Sequence, residues 1–264
     1  MRSFLIAAAL SVLSIPMIGG AQSAFNGTWK LDLNKSSFSP KPDVYILADG
    51  MYECKTCVPA YKIKADGTDQ SVTGHPYFDS VAIKVVSDHE IAETDKKNGN
   101  TVATSTTTIS ADGKHATFSF SDSSNTNGGP PVTGSGTAVL VAPGPAGSHA
   151  VSGSWKLEKI GDMSDNAIIW TYNISADQIT MTSKSGQSYT AKLDGTDAPM
   201  VGDPGTTSVS VTMAGKNTLV ETDKRDGKVI SVWKMTVEVG GKTATAINED
   251  KLTNRTAHFV VIKQ

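Results

Sequence analysis

The chain has little of what most catalytic and metal sites are built from. Only two of its 264 residues are cysteines and five are histidines, and aromatic residues make up 6%. It contains no Gly-x-Ser-x-Gly, no phosphate-binding glycine loop and no His-Glu-x-x-His, which argues against the common hydrolases, nucleotide-binding enzymes and zinc proteases. We therefore predict no catalytic residues, no metal and no cofactor, and a function other than catalysis.

A strong excess of charge is also missing. The formal net charge is -2, the isoelectric point is near 6.2, and charged residues make up 19% of the chain. Nucleic acids and anionic membrane surfaces are bound by proteins with a basic excess, so neither is an expected partner. No apolar run long enough to cross a bilayer follows residue 20, and we expect no membrane span.

The N-terminus has the pattern of an export signal. Arg2 precedes the apolar stretch Phe4–Gly20, and small residues follow as far as Ala24. The apolar stretch is short and interrupted, as in a signal peptide that is cleaved after export. We predict a signal peptide over residues 1–23 and a periplasmic or secreted location in a bacterium.

What the chain does have is the same stretch twice. Residues 48–117 align without a gap on residues 176–245. About 22 of about 70 aligned pairs are identical, where unrelated sequences would give roughly five, and such a self-match predicts two copies of one structural unit. The turn-like Asp66–Asp69 recurs in this register as Asp194–Asp197.

Composition and periodicity predict that both copies are all-β. Threonine, serine, glycine and valine are abundant, and apolar residues alternate with polar ones in short runs separated by turn formers. No ten-residue window keeps a helical period. We place copy one at residues 24–142, a short linker at 143–151 and copy two at 152–264, and expect an antiparallel barrel, closed or partly open, from each copy.

Two hairpins can be predicted in detail. Asn98-Gly99 and Asp226-Gly227 are the dipeptides that a two-residue type I′ turn requires, because both central residues take positive φ. With that turn fixed, the alternation of strand side chains places Trp233 on the core face. The same alternation predicts that Glu221 and Asp223 lie on a solvent face.

The segments Gly27-Thr28-Trp29 and Gly153-Ser154-Trp155 resemble the Gly-x-Trp motif of the lipocalins and their calycin relatives. In that family the tryptophan closes the base of a barrel of eight to ten strands, and an arginine on the last strand lies across it. The resemblance implies two lipocalin-like barrels with Trp29 and Trp155 at their bases. It gives the arginine position to Arg255 in copy two, whereas copy one has Gly136 there.

A barrel of this size either holds one small ligand or is filled by its own side chains. In copy two the candidate ligand-binding residues are Trp170, Tyr172, Trp233 and Met235. Ordinary core packing is the alternative role for all four.

The two cysteines are predicted to form a disulfide. Cys54 and Cys57 would be about 10 Å apart on an extended strand, beyond bridging distance, so they can pair only across a turn. A bond across so short a loop stabilises by at most about 2 kcal/mol. A redox pair or a metal site are the alternatives.

Two further groups of residues are candidate metal ligands, with plain structural roles as the alternative. His75, Asp79 and His89 could converge in copy one as ligands or as a base with its orienting group. The recurring Asp66–Asp69 and Asp194–Asp197 could offer oxygens to Ca²⁺, although an aspartate-capped turn explains them as well.

Together these features predict an exported, non-catalytic binding protein that holds a small apolar molecule inside a barrel. The alternative is a structural or protein-interaction module of the cell envelope, with filled barrels and a protein partner.

Overall fold

A computed structural model describes residues 24–264, and the predicted signal peptide at 1–23 lies outside the described residues. Within them the chain forms twenty β-strands and one short helix, which confirms the all-β prediction. The elements are β1 Gly27–Ser37, β2 Asp43–Ala48, β3 Met51–Cys54, β4 Tyr61–Lys64, β5 Gln70–Ser71, β6 Ser80–Ser87, β7 Glu90–Lys97, β8 Asn100–Ile109, β9 His115–Asp122, β10 Val132–Pro143, β11 Gly153–Met163, α1 Asp165–Ile168, β12 Ile169–Ser175, β13 Gln178–Ser183, β14 Ser188–Lys192, β15 Ala198–Pro199, β16 Ser208–Met213, β17 Thr218–Arg225, β18 Lys228–Val237, β19 Thr243–Asp250 and β20 Arg255–Lys263.

The strands form two antiparallel sheets of ten strands each. In the first sheet, called barrel one here, the order is β4-β3-β2-β11-β10-β9-β8-β7-β6-β5. In the second, called barrel two, it is β14-β13-β12-β1-β20-β19-β18-β17-β16-β15. The two orders are the same once each strand is replaced by its counterpart in the repeat, so the two copies share one topology.

The two copies exchange their opening strands. β1 belongs to copy one, yet it lies in barrel two, where Trp29 is paired with Trp170 of β12 and with Lys263 of β20. β11 opens copy two, yet it lies in barrel one, where Trp155 is paired with Asp43 of β2. Each barrel therefore takes its Gly-x-Trp strand from the other copy.

This exchange groups the chain differently from the repeat. Barrel one is the continuous segment 43–163, and barrel two combines 27–37 with 169–263. The segment 143–151 connects β10 to β11 within barrel one. The chain passes between the barrels at residues 38–42 and 164–168 instead.

Both sheets curl until their edges nearly meet. After β4 the Gly67 N–H donates to the Ile83 carbonyl at 2.9 Å, and after β14 the Gly195 N–H donates to the Val211 carbonyl at 3.0 Å. These bonds join the two ends of each sheet. The result is two nearly closed barrels, as the sequence predicts.

The Gly-x-Trp tryptophans are buried in the barrel cores. Trp29 is fully buried, and its indole N–H donates to the Phe25 carbonyl at 2.7 Å. Trp155 is buried in barrel one and donates in the same way to the Val151 carbonyl at 2.8 Å. Since a buried indole N–H needs an acceptor, the preceding turn and the tryptophan stabilise each other.

The predicted hairpin turns are confirmed. Asn98 and Gly99 have φ of 52° and 77°, and Asp226 and Gly227 have φ of 51° and 78°. Positive φ at both central positions is the type I′ geometry.

Candidate functional site

A β-bulge next to each type I′ turn decides which side chains enter the barrels. In barrel two Lys224 is paired with Val229 but Asp223 with Ser231, so Ile230 is an extra residue. Because a one-residue slip moves every side chain to the other face, Glu221 now lies opposite the inward-facing Trp233. The prediction that Glu221 and Asp223 face solvent is therefore wrong, since it assumed a ladder without a bulge.

In barrel two Glu221 is buried and bound by two tyrosines. It is 8% exposed, and its carboxyl accepts hydrogen bonds from the hydroxyl of Tyr189 at 2.5 Å and of Tyr172 at 3.5 Å. Burial raises the pKa of Glu221 to about 8, and the nearby charge of Asp223 adds to the rise. The carboxyl is thus held as a neutral acid around neutral pH.

The same cluster occurs in barrel one with looser pairing. The same bulge places Glu93 opposite Ser105 on the inner face. Tyr61 donates a hydrogen bond to the Glu93 carboxyl at 3.3 Å, and the Asp95 carboxyl is the other side-chain hydrogen-bond neighbour of Glu93. Burial raises the pKa of Glu93 above its ordinary range, and burial together with the charge of Glu93 raises the pKa of Asp95 to about 8.

Beside Glu93 lies a cavity of about 340 Å³ inside barrel one. Its walls are mainly aromatic and aliphatic, and Asp43, Glu93, Ser105 and Thr107 are polar residues that border it. The aromatic wall consists of Tyr45, Tyr52, Tyr61, Phe118, Phe120 and Trp155. Apolar walls with a few converging polar groups are typical of small-molecule sites.

At the matching place in barrel two lie large side chains. The strand registers make Trp233 the counterpart of Ser105, Met235 that of Thr107, and Trp170 that of Asp43. The rings of Trp170 and Trp233 meet edge to face at 5.9 Å, and Trp170 meets Tyr172 at 6.2 Å. Met235 is fully buried beside them.

The structure thus brings the four predicted ligand-binding residues Trp170, Tyr172, Trp233 and Met235 together, but in one packed cluster. The cavity of about 340 Å³ lies at the equivalent place in barrel one.

The cation across the barrel-base tryptophan is a lysine. Lys263 Nζ lies 4.8 Å from the centre of the Trp29 ring and donates to the carbonyls of Ala24 and Asn26. Arg255 lies at the start of β20, where it binds the Asp43 carboxylate of barrel one at 2.6 Å. Its position is therefore the junction between the barrels, next to the cavity residue Asp43.

The predicted disulfide is confirmed. Cys54 and Cys57 are bonded, with their Cα atoms 5.5 Å apart across the turn after β3. Cys57 also borders the cavity.

The residues of the candidate metal sites make other contacts. His75 stacks on Phe78 at 4.6 Å, and the Asp79 carboxylate accepts a hydrogen bond from the Asn98 N–H. Asp66 caps its own turn by accepting from the Thr68 N–H at 2.9 Å. Across residues 24–264 no three His, Cys, Asp or Glu side chains are grouped as metal ligands.

Sequence reasoning missed Glu93, Tyr45, Tyr52 and Tyr61 as inward-facing residues around the cavity. A signal for two of them was present, because Glu93 recurs as Glu221 and Tyr61 recurs as Tyr189 in the repeat. A carboxylate and a tyrosine kept at matching positions of two strand-rich copies indicate a shared buried pair.

The chain matches no model of a known protein family and no curated protein. Within residues 24–264 no helix is both long and apolar enough to cross a membrane. Function has to follow from the chemistry of the two barrels.

Proposed function

We propose that the protein is an exported, non-catalytic binding protein that holds one small, largely apolar molecule in the cavity of barrel one. The observation that carries this proposal is the contrast at one inward position. Ser105 borders a cavity of about 340 Å³, whereas its counterpart Trp233 belongs to a packed aromatic cluster. The same inward position therefore borders a cavity in one barrel and carries a large, packed side chain in the other.

The energetics of such a cavity are sufficient for useful binding. Burying about 300 Å² of apolar ligand surface would contribute roughly 7 kcal/mol at about 25 cal/mol per Å². Loss of translational freedom and ordering of side chains offset a large part of this, which leaves an affinity around the micromolar range.

Two further features support the proposal. The Gly-x-Trp strands resemble those of lipocalins, and two nearly closed antiparallel barrels are compatible with that resemblance. The signal-like N-terminus and the Cys54–Cys57 disulfide favour an oxidising compartment outside the cytosol.

The test is native mass spectrometry of protein purified from the periplasm without detergent, compared with the same sample after denaturation. We expect an additional mass of a few hundred daltons on the native protein, in keeping with the size of the cavity. The variant Ser105→Trp, which installs the side chain of barrel two, should lose that mass.

Thr104→Trp is the matched control, because Thr104 is the exposed neighbour of Ser105 on β8. It adds the same indole outside the barrel and should keep the ligand. If the native wild-type protein has only the mass of the polypeptide, the proposal is overturned. That result would favour the protein-interaction module, in which both barrels would be packed like the core of barrel two.

A further inference from the structure

We propose that the molecule held by barrel one is a small organic cation, an amine on an apolar body, whose ammonium group binds Glu93. This inference rests on the proposed function of barrel one as a binding site, and it adds the chemical class of the ligand.

The first argument is the incomplete pairing of Glu93. Its counterpart Glu221 accepts from two tyrosine hydroxyls, one of them at 2.5 Å. Glu93 accepts from Tyr61 at the longer distance of 3.3 Å, and its other side-chain neighbour is the carboxyl of Asp95. Two adjacent carboxyls can bind each other only through a proton that one of them keeps, so a ligand that brings N–H donors is favoured there. Since Glu93 faces the cavity, the donor group of a ligand can reach it.

The second argument is the charge around the cavity. Two carboxyl groups, Asp43 and Glu93, border it, and Asp95 lies beside Glu93. Among the described residues no lysine, arginine or histidine borders the cavity. Arg255 is near the rim, but it is bound to Asp43 and to the Pro42 carbonyl at 2.9 Å. An anion would find no cationic partner there, whereas a cation could pair with an ionised carboxylate.

The third argument is the aromatic wall. The rings of Tyr45 and Tyr52 lie 6.1 Å apart, and those of Tyr52 and Tyr61 lie 6.4 Å apart, so the three form a row along the cavity. Aromatic faces attract organic cations and also provide apolar contact for the body of the ligand. Burial raises the pKa of Tyr45 and of Tyr61, which keeps both hydroxyls neutral.

Binding of an ammonium also has a consequence for protons. Burial raises the pKa of Glu93 and raises that of its neighbour Asp95 to about 8, so the pair of carboxyls holds a proton around neutral pH. An ammonium favours the ionised carboxylates, and the proton of the pair then leaves to solvent. The charged and titratable groups around Glu93 are Asp95, Asp43 with Arg255, Asp122 beyond Asp95, and the three tyrosines.

Isothermal titration calorimetry with three probes of one shape tests the inference. The probes are 2-phenylethylamine as the cation, 2-phenylethanol as the neutral molecule and 3-phenylpropionate as the anion. We expect the wild type to bind the amine at least about tenfold more tightly than the alcohol, because a charge-assisted hydrogen bond and a cation–π contact are added. The heat should vary with buffer ionisation enthalpy in the direction of proton release.

Two matched variants separate the role of Glu93 from general effects on folding. Glu93→Gln keeps the shape and should remove the preference for the amine while it leaves binding of the alcohol unchanged. Glu221→Gln alters the equivalent buried acid in the filled barrel and should leave all three probes unchanged. Ser105→Trp should abolish binding of every probe.

The experiment separates a failure of the cation inference from a failure of the proposed binding function. Equal affinities for the amine and the alcohol, both lost in Ser105→Trp, would overturn the cation inference and leave the binding function standing. Preference for the anion would overturn it in the same way. If no probe binds the wild type, the cation inference falls, and the native mass comparison then decides separately whether the cavity holds a ligand.

Discussion

The two barrels share a framework and differ in what fills it. Each has a buried Gly-x-Trp tryptophan and an inward-facing glutamate beside a tyrosine, buried in barrel two and half-buried in barrel one. Barrel two adds large side chains on the inner face of β18, whereas barrel one has Ser105 and Thr107 on the equivalent β8. The difference teaches that the polar cluster belongs to the barrel architecture, while a few inward positions decide between a packed core and a cavity.

Separating the two barrels into fragments should have the largest effect on folding. Residues 43–163 contain all ten strands of barrel one, so this fragment should unfold cooperatively. Residues 164–264 lack both β1, which lies between β12 and β20, and its counterpart β11, so they should not form a stable barrel. Circular dichroism during urea unfolding of both fragments measures this.

Adding residues 24–42 as a peptide to the fragment 164–264 should restore structure, because it returns β1 with its buried Trp29. A cooperative transition for 164–264 without the peptide would contradict the prediction that β1 is needed to complete barrel two.

The next largest expected effect is the loss of stability as the pH rises. The pKa of Glu221 in the folded protein is about 8 and its ordinary value is 4.5, so between these pH values the folded state keeps a proton that the unfolded state releases. The stability contributed by the neutral acid is therefore fully present below about pH 4.5 and is lost as the pH rises through about 8. The full loss is on the order of 5 kcal/mol.

Glu221→Gln should flatten this loss, as measured by urea unfolding at several pH values. Glu93→Gln should flatten it less, because Glu93 is half-buried beside the cavity whereas Glu221 is buried. A steeper loss of stability with rising pH in Glu221→Gln than in the wild type would refute the buried neutral acid.

Replacing the tryptophan at the base of each barrel compares how tightly the two cores are packed. Trp29→Ala should destabilise by about 3–5 kcal/mol, because a fully buried indole, its bond to Phe25 and its contact with Lys263 are lost. Trp155→Ala should cost less, since Trp155 already borders empty space in barrel one. Differential scanning calorimetry of both variants gives the ranking, and equal losses would argue against a hollow barrel one.

The smallest expected effect is that of the disulfide. Replacing Cys54 and Cys57 by alanine should destabilise barrel one by about 2 kcal/mol, because the closed loop is short. Barrel two holds no cysteine and should be unaffected. Reduction of the wild type with dithiothreitol should reproduce the change in urea unfolding, and the alanine variant should not respond to the reductant.

Local features of the sequence were sufficient to predict much of the fold. The turn dipeptide Asp226-Gly227, the bonded Cys54 and Cys57, and the all-β class each depend on neighbouring residues and are all present in the structure. The strand exchange could not be predicted in this way. Because the two copies offer nearly the same pairing surfaces, the sequence of β1 does not determine which copy it will pair with.

The site was missed for a related reason. The orientation of Glu221 depends on the single extra residue Ile230, and alternation alone does not reveal a bulge. Ser105 and Thr107 could be recognised as poor core residues, but an empty interior follows only from the full set of side chains that meet there. A cavity is a property of packing across many strands, not of one segment.

The placement of β1 also sets the order in which the two barrels can be completed as the chain emerges. β1 is the first of the described strands, yet its partners β12 and β20 lie far along the chain, and β20 is the last described strand. Barrel one is built from contiguous strands, so it can form while β1 still lacks its partners. Until those partners have emerged, β1 is an unpaired strand that carries a tryptophan, which gives a chaperone or a neighbouring chain an opportunity to bind it.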